Sequence, residues 1–393
     1  TVAPPPHQVP VDEAVGNKAE QLKAAVHTRE HMRTHEPKNP YCPICIRCRA
    51  QRKPRRAQKI ELGQKPKVFG EQLTGDHLVR QRKMVGDGNF VLDYEDEWTH
   101  EWMPPAARFA VILYDRATDW SEFHPTATKN AWLTTSAMTH MVGHHDKVGM
   151  FYSDNSPELK NAALTLGWRH PTSTPGIPQS NGLAERMVRR CEEGARCAID
   201  QSGLSTKWWI WAGPYYCTAR NLAIPDEGHS IYFQRHGLEC KAKMPQFGEL
   251  VEYLPNPTDL AKRDKFASKT ARGLFLGWHI QPGGKWNGNY YVADWDLVKA
   301  DPDGPPYGKT TQTSELFILN DKPVFPLADY RNAKEMQVVE KVLDGFGNAT
   351  ESVPVKPSLP HGGEGESVDA PPVVLQLSTS VSPAPKPPVG ADQ

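Results

Sequence analysis

Tyr152-Ser153-Asp154-Asn155-Ser156-Pro157-Glu158 ends one element and starts another. Val148 to Ser153 reads as a short strand, Pro157 to Leu166 as a helix with proline at its first position, and Asp154 lies in the turn between them. A Pro, Ser and Thr loop from Pro171 to Ser180 then leads into Pro178-Gln179-Ser180-Asn181-Gly182-Leu183-Ala184-Glu185-Arg186. From about Gly182 to Gln201 the chain reads as a long helix, with Glu185 in its first turn.

Upstream, Asn130 to Val142 reads as a helix. Arg108 to Tyr114 is the best strand in the chain, a buried run of Phe109, Val111, Ile112, Leu113 and Tyr114. Turn residues Asp115 to Asp119 connect it to a second strand, Trp120 to Pro125, which makes a hairpin. Lys67 to Asp76 reads as a strand entering a site, and residues 81 to 105, with Gly86-Asp87-Gly88, as an extended loop or insertion. A hairpin followed by alternating strands and helices indicates a mixed α/β layered core, set here at 67–225.

Beyond it, Trp208, Trp209 and Trp211 are expected to pack rather than stack on a ligand. Gly273-Leu274-Phe275-Leu276-Gly277-Trp278 and Gly288-Asn289-Tyr290-Tyr291-Val292, separated by the turn Pro282-Gly283-Gly284, predict a small β-barrel over 243–320. Residues 1–15 and 351–393 are Pro-rich and expected to be disordered. The span 16–66 holds a helical stretch, a His and Cys cluster and a basic linker.

The 393 residues carry 46 basic and 46 acidic side chains, so net charge neither demands nor forbids a polyanionic partner. Local charge decides: nine Lys or Arg lie between Arg47 and Lys67, among them Arg52, Lys53, Arg55 and Arg56, against the single acid Glu61. Between a metal cluster and a phosphate-handling core, that stripe predicts contact with a nucleic-acid backbone. Seven cysteines, an odd number, argue against an extracellular disulfide framework. No apolar run approaches a membrane span, so no membrane partner is expected. Thr rather than Met at position 1 fits a piece of a longer polyprotein.

His31-x-x-x-His35 sets two imidazoles about one helical turn apart, and Cys42-Pro43-Ile44-Cys45 is a knuckle able to aim two thiolates at one centre. Two His and two Cys fill a tetrahedral zinc site, which would staple the fold because no position stays open. His27 and Cys48 are alternative ligands, at the same His and Cys spacings.

Phosphodiester transfer needs a more basic attacking oxygen and a neutralised leaving oxygen, work that two divalent ions bridged by carboxylates perform. Asp76, Asp154 and Glu185 stand at strand and helix ends where such ions could be held. Asp115, ending the best strand, is the rival of Asp76. Arg186, Arg189 and Arg190, on the helix of Glu185, are placed to meet phosphates. Asn155, Gln179 and Asn181 serve equally as DNA contacts or turn formers.

Here the residues meet a known family. Ser153-Asp154-Asn155-Ser156-Pro157-Glu158 resembles the Thr-Asp-Asn-Gly-x-Glu/Phe turn of retroviral and copia-type retrotransposon integrases, and Pro178 to Arg186 resembles their Pro-Gln-x-Asn-Gly-x-Ala-Glu-Arg helix start. The likeness extends to the His-His-Cys-Cys module, the hairpin around Tyr114-Asp115-Arg116-Ala117-Thr118 and the segment Gly273 to Trp278, roughly residues 27 to 300. It implies an RNase H-like core with magnesium or manganese held by Asp76, Asp154 and Glu185. In the family the first catalytic Asp precedes the hairpin, which favours Asp76.

Two departures stand out: the 31 positions from Asp154 to Glu185 are a few short of the usual interval, and an insertion follows Asp76. What the resemblance implies is a retrotransposon integrase, an endonuclease and polynucleotidyl transferase that processes 3′ ends of element DNA and joins them to target DNA. It would work as a homo-oligomer in the nucleus, with a cytoplasmic particle stage. The alternative is an inactive or domesticated nucleic-acid-binding descendant, and a zinc-finger regulator is a third reading.

Overall fold

The computed structural model describes residues 11–51, 64–80, 83–84, 90–91, 107–172, 182–261 and 263–334. All belong to the first of two compact units, Thr1–Leu359. The expected tail 351–393 and the linker residues 52–63 fall outside the described residues.

Three helices open the chain: α1 (Val11–Ala25), α2 (Arg29–Thr34) and α3 (Pro43–Cys48). The first begins at Val11, inside the stretch 1–15, of which residues 1–10 lie outside the described residues.

The core sheet has four strands in the order β5-β4-β1-β6, comprising β1 (Leu73–Val79), β4 (Phe109–Asp115), β5 (Ser121–Thr126) and β6 (Phe151–Tyr152). The first two junctions, β5 with β4 and β4 with β1, are antiparallel, while β1 and β6 run parallel. The predicted hairpin is β4–β5. Strand β4 is buried on both faces, as a central strand covered on both sides must be. A short ladder, β2 (Lys83–Met84) with β3 (Phe90–Val91), occupies part of the segment expected to be loop. The strand expected over 67–76 instead covers 73–79. Gly70 turns the backbone at φ 87°, and pairing with β4 runs to Val79, which puts Asp76 in mid-strand.

Helices cover both faces. Successive residues on β5 alternate: Phe123 meets the helix α7 (Trp209–Leu222) at Gly213, while Glu122 hydrogen-bonds His140 of α4 (Ala131–Val142) on the other face. Asn130 caps α4 through the Leu133 N–H, and α5 (Pro157–Thr165) packs on α4. Across the opposite face lies α6 (Gly182–Ser202), whose buried Ala184, Met187, Cys191, Ala195 and Ala198 repeat at helical spacing. Its crossing with α7 is close enough that a Cβ at Gly194 would lie 2.2 Å from the Tyr216 ring.

After α8 (Ile231–His236) comes a five-stranded antiparallel sheet: β7 (Leu250–Tyr253), β8 (Ala271–Ile280), β9 (Trp286–Asp294), β10 (Thr310–Thr313) and β11 (Leu316–Phe317), in the order β10-β9-β8-β7-β11. Two short helices, α9 (Pro257–Ala261) and α10 (Trp295–Ala300), decorate it. The edge strands β10 and β11 are separated by just Ser314 and Glu315, so the sheet must curl until its edges nearly meet, giving the expected barrel-like shape.

One hydrophobic core joins this sheet to the α/β layers. Tyr215 of α7 stacks on Trp278 with ring centroids 5.4 Å apart and touches Phe247 and Phe275. Trp208 and Trp211 are buried, and Trp209 packs edge-on against Phe123, so the tryptophans are packing residues as expected. The N-terminal helices are tied to the same body by a bidentate Arg29–Glu249 ion pair.

Candidate active site and metal centre

The three acids come from three elements that the fold brings to one place. Parallel pairing sets Leu73 opposite Phe151 and Thr74 opposite Tyr152, so Asp76 and Asp154 each follow the last paired residue of their segment by two positions. Adjacent strands are about 4.8 Å apart. The neighbour of Asp76 on β1, His77, hydrogen-bonds Thr134 of α4, so by strand alternation Asp76 presents its carboxylate on the opposite face, the one α6 crosses. Glu185, the third acid expected from the sequence, is exposed in the first turn of α6.

Both aspartates are oriented by local backbone. The His77 N–H donates to Asp76 Oδ1 at 2.7 Å, and the Ser156 N–H donates to Asp154 Oδ1 at 3.1 Å. Burial pushes the Asp76 carboxyl up to about 6; the His77 N–H opposes this, the Asp154 charge adds to it, Lys129 lowers it and the Glu185 charge raises it. The other two acids are therefore near enough for their charge to be felt at Asp76. Among the described residues two groups of His, Cys, Asp or Glu hold all their ligand atoms within 4.8 Å of one another, and this trio is not one of them.

Asp115, the rival first acid, has another occupation. It is fully buried and accepts from Gly70 N–H at 3.0 Å and from Thr118 N–H and Oγ1 at 2.7 and 2.8 Å, which staples the β4–β5 turn. Asp115 pairs with Leu73, three residues along β1 from Asp76, or about 10 Å away along the strand.

The flanking residues separate into three sets. Arg186, Arg189 and Asn155 are exposed beside the acids. Arg190 turns inward and makes a bidentate pair with Glu36 of the N-terminal region, donating at 2.8 Å to Oε1. Tyr216 and Arg49 meet the same carboxylate at 2.6 and 3.3 Å. Burial of Glu36 is outweighed by these partners, which hold its carboxyl at about 2. In this chain Arg190 is therefore a tie between α6 and the N-terminal module, a role sequence could not reveal because Glu36 lies 154 residues away. Gln179, Asn181, Arg52, Lys53, Arg55 and Arg56 lie outside the described residues.

The His and Cys cluster is preassembled. Thr28 caps α2 through the His31 N–H, and His35 ends that helix in the left-handed conformation, φ 53°. Cys42 immediately precedes α3 and Pro43 starts it, so Cys42 and Cys45 flank the helix's first turn. Cys45 Sγ lies 3.6 Å from His31 Nε2 and 3.8 Å from His35 Nδ1, and Cys42 Sγ lies 3.7 Å from His35 Nδ1. A tetrahedral zinc with Zn–N near 2.05 Å and Zn–S near 2.3 Å has N···S edges of about 3.6 Å.

The other nitrogen of His35, Nε2, faces Gln201 Oε1 at 2.9 Å, which leaves Nδ1 for a metal. Burial drives the Cys45 thiol up to about 11 and the His35 imidazole down to about 4, so a dication bound here would displace the Cys45 proton and find the His35 ring already neutral. Of the substitutes, His27 is exposed and Cys48 faces the Arg196 carbonyl of α6, so neither competes. Gln201 was missed in the sequence; its signal would have been a buried amide on α6, visible once that helix faces α2.

No family model matches the chain. The chain is similar to the "Retrovirus-related Pol polyprotein from transposon RE2" of Arabidopsis thaliana, 26% identical over 126 residues, and to that from transposon RE1 of the same plant, 27% identical over 127. Each match covers 30% of the chain and 9% of the relative, so the chain spans a small part of these polyproteins. Among solved structures it is similar to a simian T-cell lymphotropic virus intasome chain, at TM-score 0.32 and 11% identity, covering 77% of this chain and 100% of that one. It is also similar to the catalytic core domain of BIV integrase, at TM-score 0.28 and 16% identity, covering 42% and 91%. An HTLV-2 integrase catalytic core domain in complex with magnesium gives 0.28 and 14%, covering 43% and 98%. The sequence relatives of this chain are thus retrovirus-related Pol polyproteins of transposons, and the His-His-Cys-Cys group read from its sequence is present in its fold.

Proposed function

We propose that this chain is the integrase portion of a retrotransposon polyprotein, a metal-dependent enzyme that trims DNA 3′ ends and joins them to target DNA. The observation that carries the reading is the convergence of Asp76, Asp154 and Glu185 from β1, the end of β6 and the start of α6, with the charge of the latter two felt at Asp76. Magnesium or manganese held by these acids would supply the Lewis acidity that activates the attacking oxygen and neutralises the leaving one. The residues of the chain supply the rest. Asp76 and Asp154 are held by backbone N–H groups, Lys129 lies close enough to bias the Asp76 charge, and exposed Arg186 and Arg189 offer phosphate contacts that position DNA without reading its sequence. Zinc at His31, His35, Cys42 and Cys45 would staple the N-terminal module. Element ends and target DNA are the proposed partners, in a homo-oligomer that acts in the nucleus.

The test is strand transfer with labelled DNA ends and Mn2+. Activity should fall by about a thousandfold or more, roughly 4 kcal/mol of transition-state stabilisation, in Asp154→Asn and in Glu185→Gln. Full activity in both variants would dispose of the assignment. DNA binding that weakens with salt but shows no divalent-dependent nicking would favour the inactive descendant instead.

A further inference from the structure

On the face of the core sheet away from the carboxylate trio, three side chains converge that the proposed chemistry does not use. Glu122 and His124, two apart on β5, project to the same side, and His140 of α4 meets them there. His124 Nε2 lies 2.9 Å and His140 Nδ1 3.0 Å from the same oxygen, Glu122 Oε2. One ligand atom from each of the three falls within 4.8 Å of the others. We propose that Glu122, His124 and His140 form a second transition-metal site, with two imidazole nitrogens and one carboxylate oxygen as ligands and a position left open on the solvent side.

The three donors are gathered closely enough for one ion: tetrahedral bonds of about 2.1 Å set donor atoms about 3.4 Å apart, so an ion replacing the bridging protons would spread the 2.9 and 3.0 Å contacts by about half an ångström. The surroundings are those of a ligand set. His140 Nε2 faces the Ile280 carbonyl at 3.2 Å, which fixes the proton on Nε2 and leaves the Nδ1 lone pair aimed at the centre. Trp120 Nε1 donates to Glu122 Oε1 at 2.9 Å, and Arg235, whose charge is shared with Asp146 at 3.0 Å, stands 3.9 Å from the same oxygen. The Trp120 N–H holds Oε1, so Oε2 is left as a single ligand atom.

Access differs between members: Glu122 is 9% exposed, His124 21% and His140 31%, so an ion would enter past the rings and stay shielded at the carboxylate. Two imidazoles and a carboxylate form a borderline set suited to zinc and similar ions rather than to magnesium. Because His140 also grips β8 through Ile280, metal bound here would tie α4 to the five-stranded sheet.

The test counts zinc per chain after equilibrium dialysis against micromolar free zinc, using the full chain carrying Asp154→Asn so that the carboxylate trio contributes nothing. Two equivalents are expected, falling to one in His124→Ala and in His140→Ala. Cobalt substitution provides an internal check, since the thiolate charge-transfer band of the Cys42 and Cys45 site should persist in both variants. One equivalent in the unsubstituted histidine background would overturn the proposal, as would two equivalents in both variants. Neither result depends on whether the chain joins DNA.

Discussion

The two principal sites differ in how finished they are. The His31, His35, Cys42 and Cys45 cluster is closed: its members are buried, its N···S distances are already those of a tetrahedral metal, and Gln201 fixes the tautomer of His35. The Asp76, Asp154 and Glu185 trio is open: its members range from half-buried to exposed, its oxygens are more widely spaced, and its third acid rides on a helix whose preceding loop lies outside the described residues. A centre that only holds a fold together gains from being complete, whereas one that must admit substrate and ions has to stay unfilled.

The largest effect should come from breaking the closed centre. Cys45→Ser, or a strong chelator, should abolish metal binding worth on the order of 10 kcal/mol and unfold residues 26–49, read as lost helical circular dichroism that zinc restores in the unsubstituted chain alone. Asp115→Ala comes next. It strands the Gly70 and Thr118 donors and should cost about 3 kcal/mol in denaturant unfolding. Strand transfer per folded molecule should be unchanged, the reverse of what substitution in the trio does.

Gln201→Ala probes the support of the closed site and should weaken zinc affinity by about 10-fold to 100-fold with little change in unfolding of the zinc-saturated chain, measured by competition with a chromophoric chelator.

The smallest effect belongs to the open centre and depends on pH. In the metal-free fold the Asp76 carboxyl is raised to about 6, above its ordinary 3.8. A raised acid favours the folded state while protonated in it. That contribution is present below pH 4 and fades as pH climbs through 4 to 6. Metal binding must expel this proton, so Mn2+ affinity should drop by up to about tenfold per pH unit below 6 and level off above it. Calorimetry in buffers of differing ionisation heat should show proton release below pH 6, abolished by Asp76→Asn.

What sequence revealed, and what it hid, divides along the same line. The His and Cys cluster was legible because its four ligands fall within fifteen residues at spacings that local helix geometry decides. Asp154 and Glu185 stand out in the sequence because each sits at an element boundary marked by Pro157 or by Asn181-Gly182. Position within an element was harder. Asp76 was read as following its strand, yet it lies inside it, since the length of β1 is set by pairing with β4 and not by its own residues. Contacts between distant segments stayed hidden. Arg190 reads as a phosphate ligand on an exposed helix until Glu36 is folded against it, and Glu122, His124 and His140 share no motif, being brought together by β5 and α4 packing. Charge on a helix face says that a partner exists, not whether it is nucleic acid or another part of the chain.

The most direct test is a crystal soaked in Mn2+ with anomalous scattering recorded. The account predicts manganese density between the carboxylates of Asp76 and Asp154, with Glu185 reaching the same ions from the start of α6. Glu185 directed into solvent, with no manganese at the two aspartates under saturating metal, would contradict it.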